Sequence, residues 1–264
     1  VNFRPYKQTQ TNTKGIFDLL SQHKPDTNQH KPTQAFMLNV ARGKVRGASL
    51  RNIFGFNDDQ GTTMRTVWEL SDTTDYVFPA SALNRTVASD IGDTSDEGVQ
   101  VKLIGLDINY EEISEVVTIN NATPPMTTAG FFRVNDFVTI SGNATGNITA
   151  TNGATTYSRI TAGTGKAQAA VYTVPAGCDF YLFRIDAFMN DGSSAKPGEF
   201  QNFVTLESGV NLRVAQTPYI NQMNIQRRVP FKYAEKTDIQ FQIKSLSGTN
   251  LCGVFGEGIV IKES

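Results

Sequence analysis

From Thr66 to the end of the chain, short runs that alternate apolar and polar residues follow one another closely, each closed by Gly, Pro, Asn or Asp. Alternation at every second residue puts the apolar side chains on one face of a half-buried strand, whereas a helix needs a period of about 3.6. The runs are Thr66–Leu70, which holds Trp68, then Asp75–Pro79, Val99–Leu106, Ser114–Ile119 and Gly130–Ser141. They continue as Ala169–Val174, Phe180–Met189, Phe200–Leu206, Asn211–Ala215, Met223–Val229, Thr237–Ser245 and Leu251–Ile261. DINYEEI, residues 107–113, reads as a hairpin connection, and Asn152-Gly153 as a turn within a polar Gly/Asn/Thr stretch. In Pro175-Ala176-Gly177 the proline presets one backbone angle and the glycine permits positive φ. Only Gly15–Ser21 and Ala80–Ala88 leave room for a helical turn or two. About ten to twelve strands without an amphipathic helix predict an all-β fold, a jelly-roll-like β-sandwich.

Ahead of these strands the composition is different. Residues 1–36 are rich in Thr, Asn, Gln, Lys and Pro around one apolar island, Ile16, Phe17, Leu19 and Leu20. A stretch this polar cannot bury enough surface to offset its ordering entropy, so it forms an extended N-terminal arm outside the core. Two readings stand: a disordered tail, or an arm that orders on a neighbouring subunit with the island as its anchor. Residues 37–66 are transitional. Arg42, Lys44 and Arg46 alternate with Gly43, Val45 and Gly47, which in a strand places the three cations on one face, solvated or set against an acidic surface. Residues 57–61, Asn-Asp-Asp-Gln-Gly, read as a loop. A short echo between Tyr76-Val77-Phe78-Pro79-Ala80 and Tyr172-Thr173-Val174-Pro175-Ala176 suggests two tandem β-rich units, 37–165 and 166–264, as the alternative to one large sandwich.

The chain offers little chemistry. Its two histidines, His23 and His30, both lie in the arm, so the strand-rich part has no imidazole for a Ser-His-Asp or Cys-His constellation or for a His-ligated metal. Gly163-Thr164-Gly165-Lys166 lacks both the earlier glycine and the following hydroxyl of a phosphate loop. The loop Asp90–Glu97, with Asp93 and Asp96, offers oxygen ligands for calcium but not the alternating spacing of a helix–loop–helix site. Glu111, Glu112 and Glu115 form a second acidic cluster, of the kind that supplies paired carboxylates in glycosidases. Cys178 and Cys252 read as buried thiols, with a disulfide left open. Asn-x-Ser/Thr sequons at Asn84, Asn121, Asn143 and Asn147 read as coincidence in a chain this rich in Asn and Thr. Arg227-Arg228, Lys232 and Lys236 beside Phe231 and Tyr233 suit a subunit contact or plain surface better than nucleic acid, because the formal net charge is −1. No apolar run approaches the ~18 residues of a membrane helix, and no basic start leads into a secretory segment. No cofactor, metal, nucleic acid or membrane partner is expected.

Several segments together resemble a known group. NVARGKVRGAS, GLDINYEEISEVVTI, AVYTVPAGCDFYLFRI and PFKYAEKTDIQFQI, in this order over roughly residues 37–264, resemble virion structural proteins of tailed bacteriophages, chiefly marine ones. The resemblance implies a β-sandwich particle protein and carries no catalytic residues. It leaves residues 1–36 unassigned. The expected role is therefore non-enzymatic: a virion component that decorates or reinforces the capsid, or occupies a vertex or neck position. Its partners are other virion proteins, capsid or tail, and copies of itself, a trimer among the options. Ile16, Phe17, Leu19 and Leu20 are the expected arm anchors, and Arg42, Lys44 and Arg46 the polar contacts. The alternative is a tail-fibre or receptor-binding module for host-surface glycans, which needs exposed aromatics, with Trp68, Tyr110 and Tyr157 as candidates.

Overall fold

A computed structural model describes residues 32–70, 74–91 and 94–263. The chain divides into two compact units, residues 1–46 and 47–264. In the first, α1 spans Pro32–Ala41. Proline suits the first helical position, where its missing N–H breaks no bond. Gly43, at φ 67°, ends the helix. Its N–H donates to Val40 O at 2.9 Å and the Lys44 N–H donates to Asn39 O at 2.8 Å, the paired bonds of a Schellman cap. This cap corrects the strand expected through Arg42, Lys44 and Arg46. Gly43 and Gly47 both have positive φ, so the three cations project from a turn, each exposed. Ile16, Phe17, Leu19 and Leu20, like Gly15–Ser21 and both histidines, lie outside the described residues.

The second unit is a β-sandwich carrying an inserted lobe. Its strands are β1 (Ala48–Gln60), β2 (Arg65–Thr66), β3 (Thr86–Ser89), β4 (Gln100–Leu106), β5 (Glu112–Thr118), β6 (Arg133–Ser141), β7 (Ile148–Asn152) and β8 (Thr155–Ile160). There follow β9 (Val171–Thr173), β10 (Cys178–Asn190), β11 (Pro197–Thr205), β12 (Asn211–Ile220), β13 (Gln222–Tyr233), β14 (Asp238–Ser245) and β15 (Asn250–Lys262). One sheet runs β1-β15-β10-β13; the facing sheet runs β12-β11-β14, with β2 and β9 both on the outer side of β14. The chain crosses repeatedly between the two sheets, as a jelly roll does. The all-β sandwich expected from alternation is the fold observed. Its core is Ile53, Phe180, Leu182, Ile185, Met189, Phe200, Ile239, Phe241, Ile243 and Val254, drawn from both sheets. Glycines on the central strand β15 make room for rings: a Cβ on Gly256 would lie 2.4 Å from Phe241, and one on Gly258 2.3 Å from Phe180.

β2 and β9 are two halves of one strand line along β14, and the lobe is inserted between them. At the break, the Val67 N–H donates to Phe241 O at 3.0 Å, the Phe241 N–H to Ala170 O at 3.0 Å, and the Ala170 N–H to Val67 O at 2.8 Å. The chain thus leaves and re-enters the sandwich at one point, which packs on Gly55 of β1. A Cβ there would stand 2.4 Å from Val67 O and 2.6 Å from the Ala170 Cβ. The lobe consists of sheets β5-β4-β6 and β3-β7-β8 around Val87, Leu103, Phe131, Phe137, Ile148 and Ile160.

Several local expectations need correction. The run from Thr66 stops being a strand at once, and Asp75–Pro79 forms none; instead Tyr76 packs edge-on to Trp68, ring centroids 5.3 Å apart. Ala80–Ala88 is not helical but leads into β3. Asn57–Gln60 belongs to β1, because its polar groups find partners: buried Asn57 donates to Trp68 O at 2.9 Å. The polar stretch before Thr156 holds a genuine hairpin, β7–β8, turned at Asn152-Gly153 with Gly153 at φ 58°. Threonine is a good strand former, so alternation in a Thr-rich segment carries little hydropathy contrast.

Candidate functional site

The acidic clusters that invited a ligand reading are occupied internally. Asp96 is buried and accepts from Ser89 Oγ at 2.5 Å, the Thr145 N–H at 2.7 Å, Thr145 Oγ1 at 2.9 Å and the Gly146 N–H at 3.0 Å. Burial opposes its ionisation, but these hydrogen bonds outweigh burial and hold its carboxyl below the ordinary range. Asp90 accepts from the Asn147 N–H at 2.8 Å, and Glu97 from the Asn121 N–H at 2.9 Å. Asp93 lies outside the described residues. In the second cluster, Glu115 accepts from the Thr128 and Ala129 N–H groups, both at 2.9 Å, leaving Glu111 and Glu112 on the surface. Among the described residues no group of three His, Cys, Asp or Glu side chains is placed to hold a metal. Among them, too, no helix is long and apolar enough to cross a membrane.

The aromatic candidates are not presented for stacking. Trp68 is fully buried and its Nε1–H donates to Thr74 O at 3.0 Å. Tyr157 is buried beneath the Arg85 guanidinium, 4.1 Å from its ring centroid. Tyr110 is partly exposed, at φ 64°, and packs edge-on against Phe132. Of the three candidates, only Tyr110 keeps exposed surface. Cys178 and Cys252 are both buried and both free.

Two surfaces remain incompletely used. The first is an open cleft of about 760 Å³ beside β1, lined by Phe54, Phe56, Asp58, Asp59, Glu69 and Arg159 among others. Asp58 and Asp59 bulge out of β1 between the Asn57–Cys252 and Gln60–Asn250 pairs and are exposed. Glu69 accepts a hydrogen bond from the Gln168 N–H through Oε1, while its Oε2 is out of solvent without a donor among the described residues. Burial pushes its carboxyl up to about 7, against the Gln168 bond and the Arg159 charge, which favour ionisation.

The second surface is the free side of the sandwich, where both sheets end in an edge strand: β13 in one and β12 in the other. Pro218 and Pro230 lie in these strands, as edge positions allow. Between the Gln226–Arg184 and Phe231–Leu182 pairs, β13 carries Arg227, Arg228, Val229 and Pro230 against Phe183 alone. Arg228, Val229 and Pro230 are pushed outward, Val229 80% exposed, while Arg227 lies half-buried over the Phe231 ring; on β12, Ile220 is 72% exposed. Of the basic residues picked out here from sequence, Lys232 pairs with Asp179 at 2.5 Å and Lys236 with Glu207 at 2.9 Å. Arg227 and Arg228 have no carboxylate partner among the described residues. In the sequence Met223–Val229 reads as one strand run although Gln226-Arg227-Arg228 interrupts its alternation; only its register against β10 exposes the bulge.

No protein-family model matches the chain, and no curated relative matches it. Solved structures that align with it include the infectious bursal disease virus Gt strain, at 9% identity over 82% of this chain and 73% of that chain, with a TM-score of 0.18. Another is the T=1 particle derived from infectious bursal virus, at 10% identity over 83% and 75%, with a TM-score of 0.16. Superpositions this loose carry no argument about fold or role.

Proposed function

We propose that this chain is a non-enzymatic structural protein of a tailed-phage virion, decorating or reinforcing the capsid or occupying a vertex or neck position through subunit contacts. The observation that carries the reading is the free side of the sandwich. Among the described residues, β12 and β13 leave unpaired backbone groups, projecting apolar side chains and uncompensated arginines on one edge, and such an edge invites pairing with another chain. Jelly rolls build viral capsid domains as well as lectin and cupin domains, so topology alone does not choose among them. The resemblance of four segments to phage virion proteins supports the first. Asp90, Asp96, Glu97 and Glu115 of the acidic loops serve as internal acceptors. The polar segment ahead of α1 suits an arm that pays its ordering entropy only on docking.

Sedimentation velocity on the full chain tests assembly, and comparison with a chain starting at Pro32 tests the arm. A homo-oligomer that incorporates into particles, less well without residues 1–31, is the expected result. A monomer at every concentration that never associates with particles overturns the proposal.

A further inference from the structure

We infer that the bulge Arg227–Pro230 on β13 is a docking knob whose receptor is the Asp58–Asp59 cleft beside β1 of a second copy of this chain. The inference rests on the assembly reading above and names the contact that performs it.

Each surface lacks what the other supplies. Most charged groups on this sandwich are internally paired: Lys232 with Asp179, Lys236 with Glu207, Lys244 with Glu199 and Arg184 with Asp186. Arg227 and Arg228 are not, and neither are Asp58 and Asp59, among the described residues. The exposed Arg228, with Arg227 half-buried over the Phe231 ring beside it, thus offers the charge complement of a cleft where, among the described residues, Asp58, Asp59 and Glu69 outnumber the one cation, Arg159. Arginine pairs bidentately with carboxylates, which fixes orientation as well as sign. The apolar parts match as well. Val229, 80% exposed, and Pro230 need a dry seat, and the cleft supplies Phe54, Phe56 and Leu70. A net charge of −1 per copy adds little general repulsion to oppose the encounter.

The positions of the two surfaces define the kind of contact. β13 and β1 are opposite edges of the same four-stranded sheet. Knob into cleft is therefore heterologous, each copy giving one surface and receiving the other, and such contacts close into a ring when the rotation fits. The other exposed acidic pair, Glu111 and Glu112, lies at the start of β5 in the inserted lobe and serves as the control.

The test is sedimentation equilibrium on full-length charge-reversal variants. R227E/R228E and D58K/D59K should each weaken self-association by about tenfold or more, as loss of a close charge pair across an interface does. The four substitutions combined should restore it to near the wild-type value, and E111K/E112K should leave it unchanged. Thermal unfolding checks each fold; should one reversal fail to fold, the other with V229D, which removes only the apolar tip, decides the matter. A wild-type oligomer that ignores both reversals, or responds to E111K/E112K instead, overturns this contact and leaves the assembly reading standing. A wild-type monomer that never joins particles overturns both.

Discussion

Arg133 of β6 and Asp238 of β14 meet in a buried two-pronged ion pair, Nε to Oδ1 and Nη2 to Oδ2, both at 2.8 Å. It links the inserted lobe to the sandwich. Every remaining group nearby is used. Arg133 Nη1 donates to Pro79 O and Phe132 O at 2.9 Å, Thr173 Oγ1 donates to Asp238 Oδ1 at 2.5 Å, and the guanidinium lies 3.9 Å from the Phe132 ring centroid. Beside it, Asn135 of the lobe exchanges two hydrogen bonds with the backbone of Thr173, at 2.8 and 2.9 Å. The two hydrophobic cores are thus joined through a polar seam rather than merged.

Breaking this pair from one side strands a buried charge. Asp238→Ala should lower unfolding stability by about 3–5 kcal/mol, measured by denaturant titration. Arg133→Met with Asp238→Leu should cost much less than either truncation alone, because no charge is left behind. Equal losses in Asp238→Ala, Arg133→Ala and the double variant would show that the pair does not couple lobe and sandwich.

Gly55 is the second hinge of the architecture. Its missing side chain leaves space for the backbone where the chain leaves and re-enters the sandwich. Backbone cannot swing aside as a side chain tip can, so Gly55→Ala should destabilise by about 1–3 kcal/mol or more through overpacking. Gly61, with nothing within 4 Å of a built Cβ, is the control, and Gly61→Ala should leave the melting temperature nearly unchanged.

Glu69 makes stability depend on pH in an unusual direction. Folding raises its pKa from 4.5 to about 7, so the native state holds the proton more tightly than the unfolded chain. Its contribution is complete below about 4.5 and is lost as pH rises through about 7. Arg159, in the same cleft, opposes the shift. Glu69→Gln should flatten the melting temperature between these limits and raise stability at alkaline pH by on the order of 1–2 kcal/mol, allowing for its partial exposure. A wild-type stability flat across that window would refute the assignment.

The two cysteines should resist thiol reagents in the folded state. Burial pushes both thiols up, and Cys252 is fully buried while Cys178 retains slight exposure. Thiolate is the reacting form, so a colorimetric thiol assay at about pH 8 should register Cys178 slowly and Cys252 only after unfolding. Rapid reaction of both would contradict the packing.

The sequence alone determined the strands that are amphipathic by themselves. Val99–Leu106, Phe180–Met189, Thr237–Ser245 and Leu251–Ile261 alternate strongly enough to name β4, β10, β14 and β15, and Asn152-Gly153 and Pro175-Ala176-Gly177 mark turns because their backbone angles are local properties. An all-β sandwich followed from these, since alternating strands bury only one face and must stack. What these side chains face was not legible in the sequence, for one reason throughout. Whether Asp96, Glu115 or Trp68 faces solvent or a partner depends on residues far along the chain: Thr145 for the first, Thr128 for the second. Only the tertiary structure decided that β2 and β9 are one strand line broken by a lobe, that Arg133 finds Asp238, and that β13 bulges outward at Arg227–Pro230. Hydropathy period records which side of a strand is buried, not which strand lies beside it; pairing and register come from contacts between segments that periodicity treats separately.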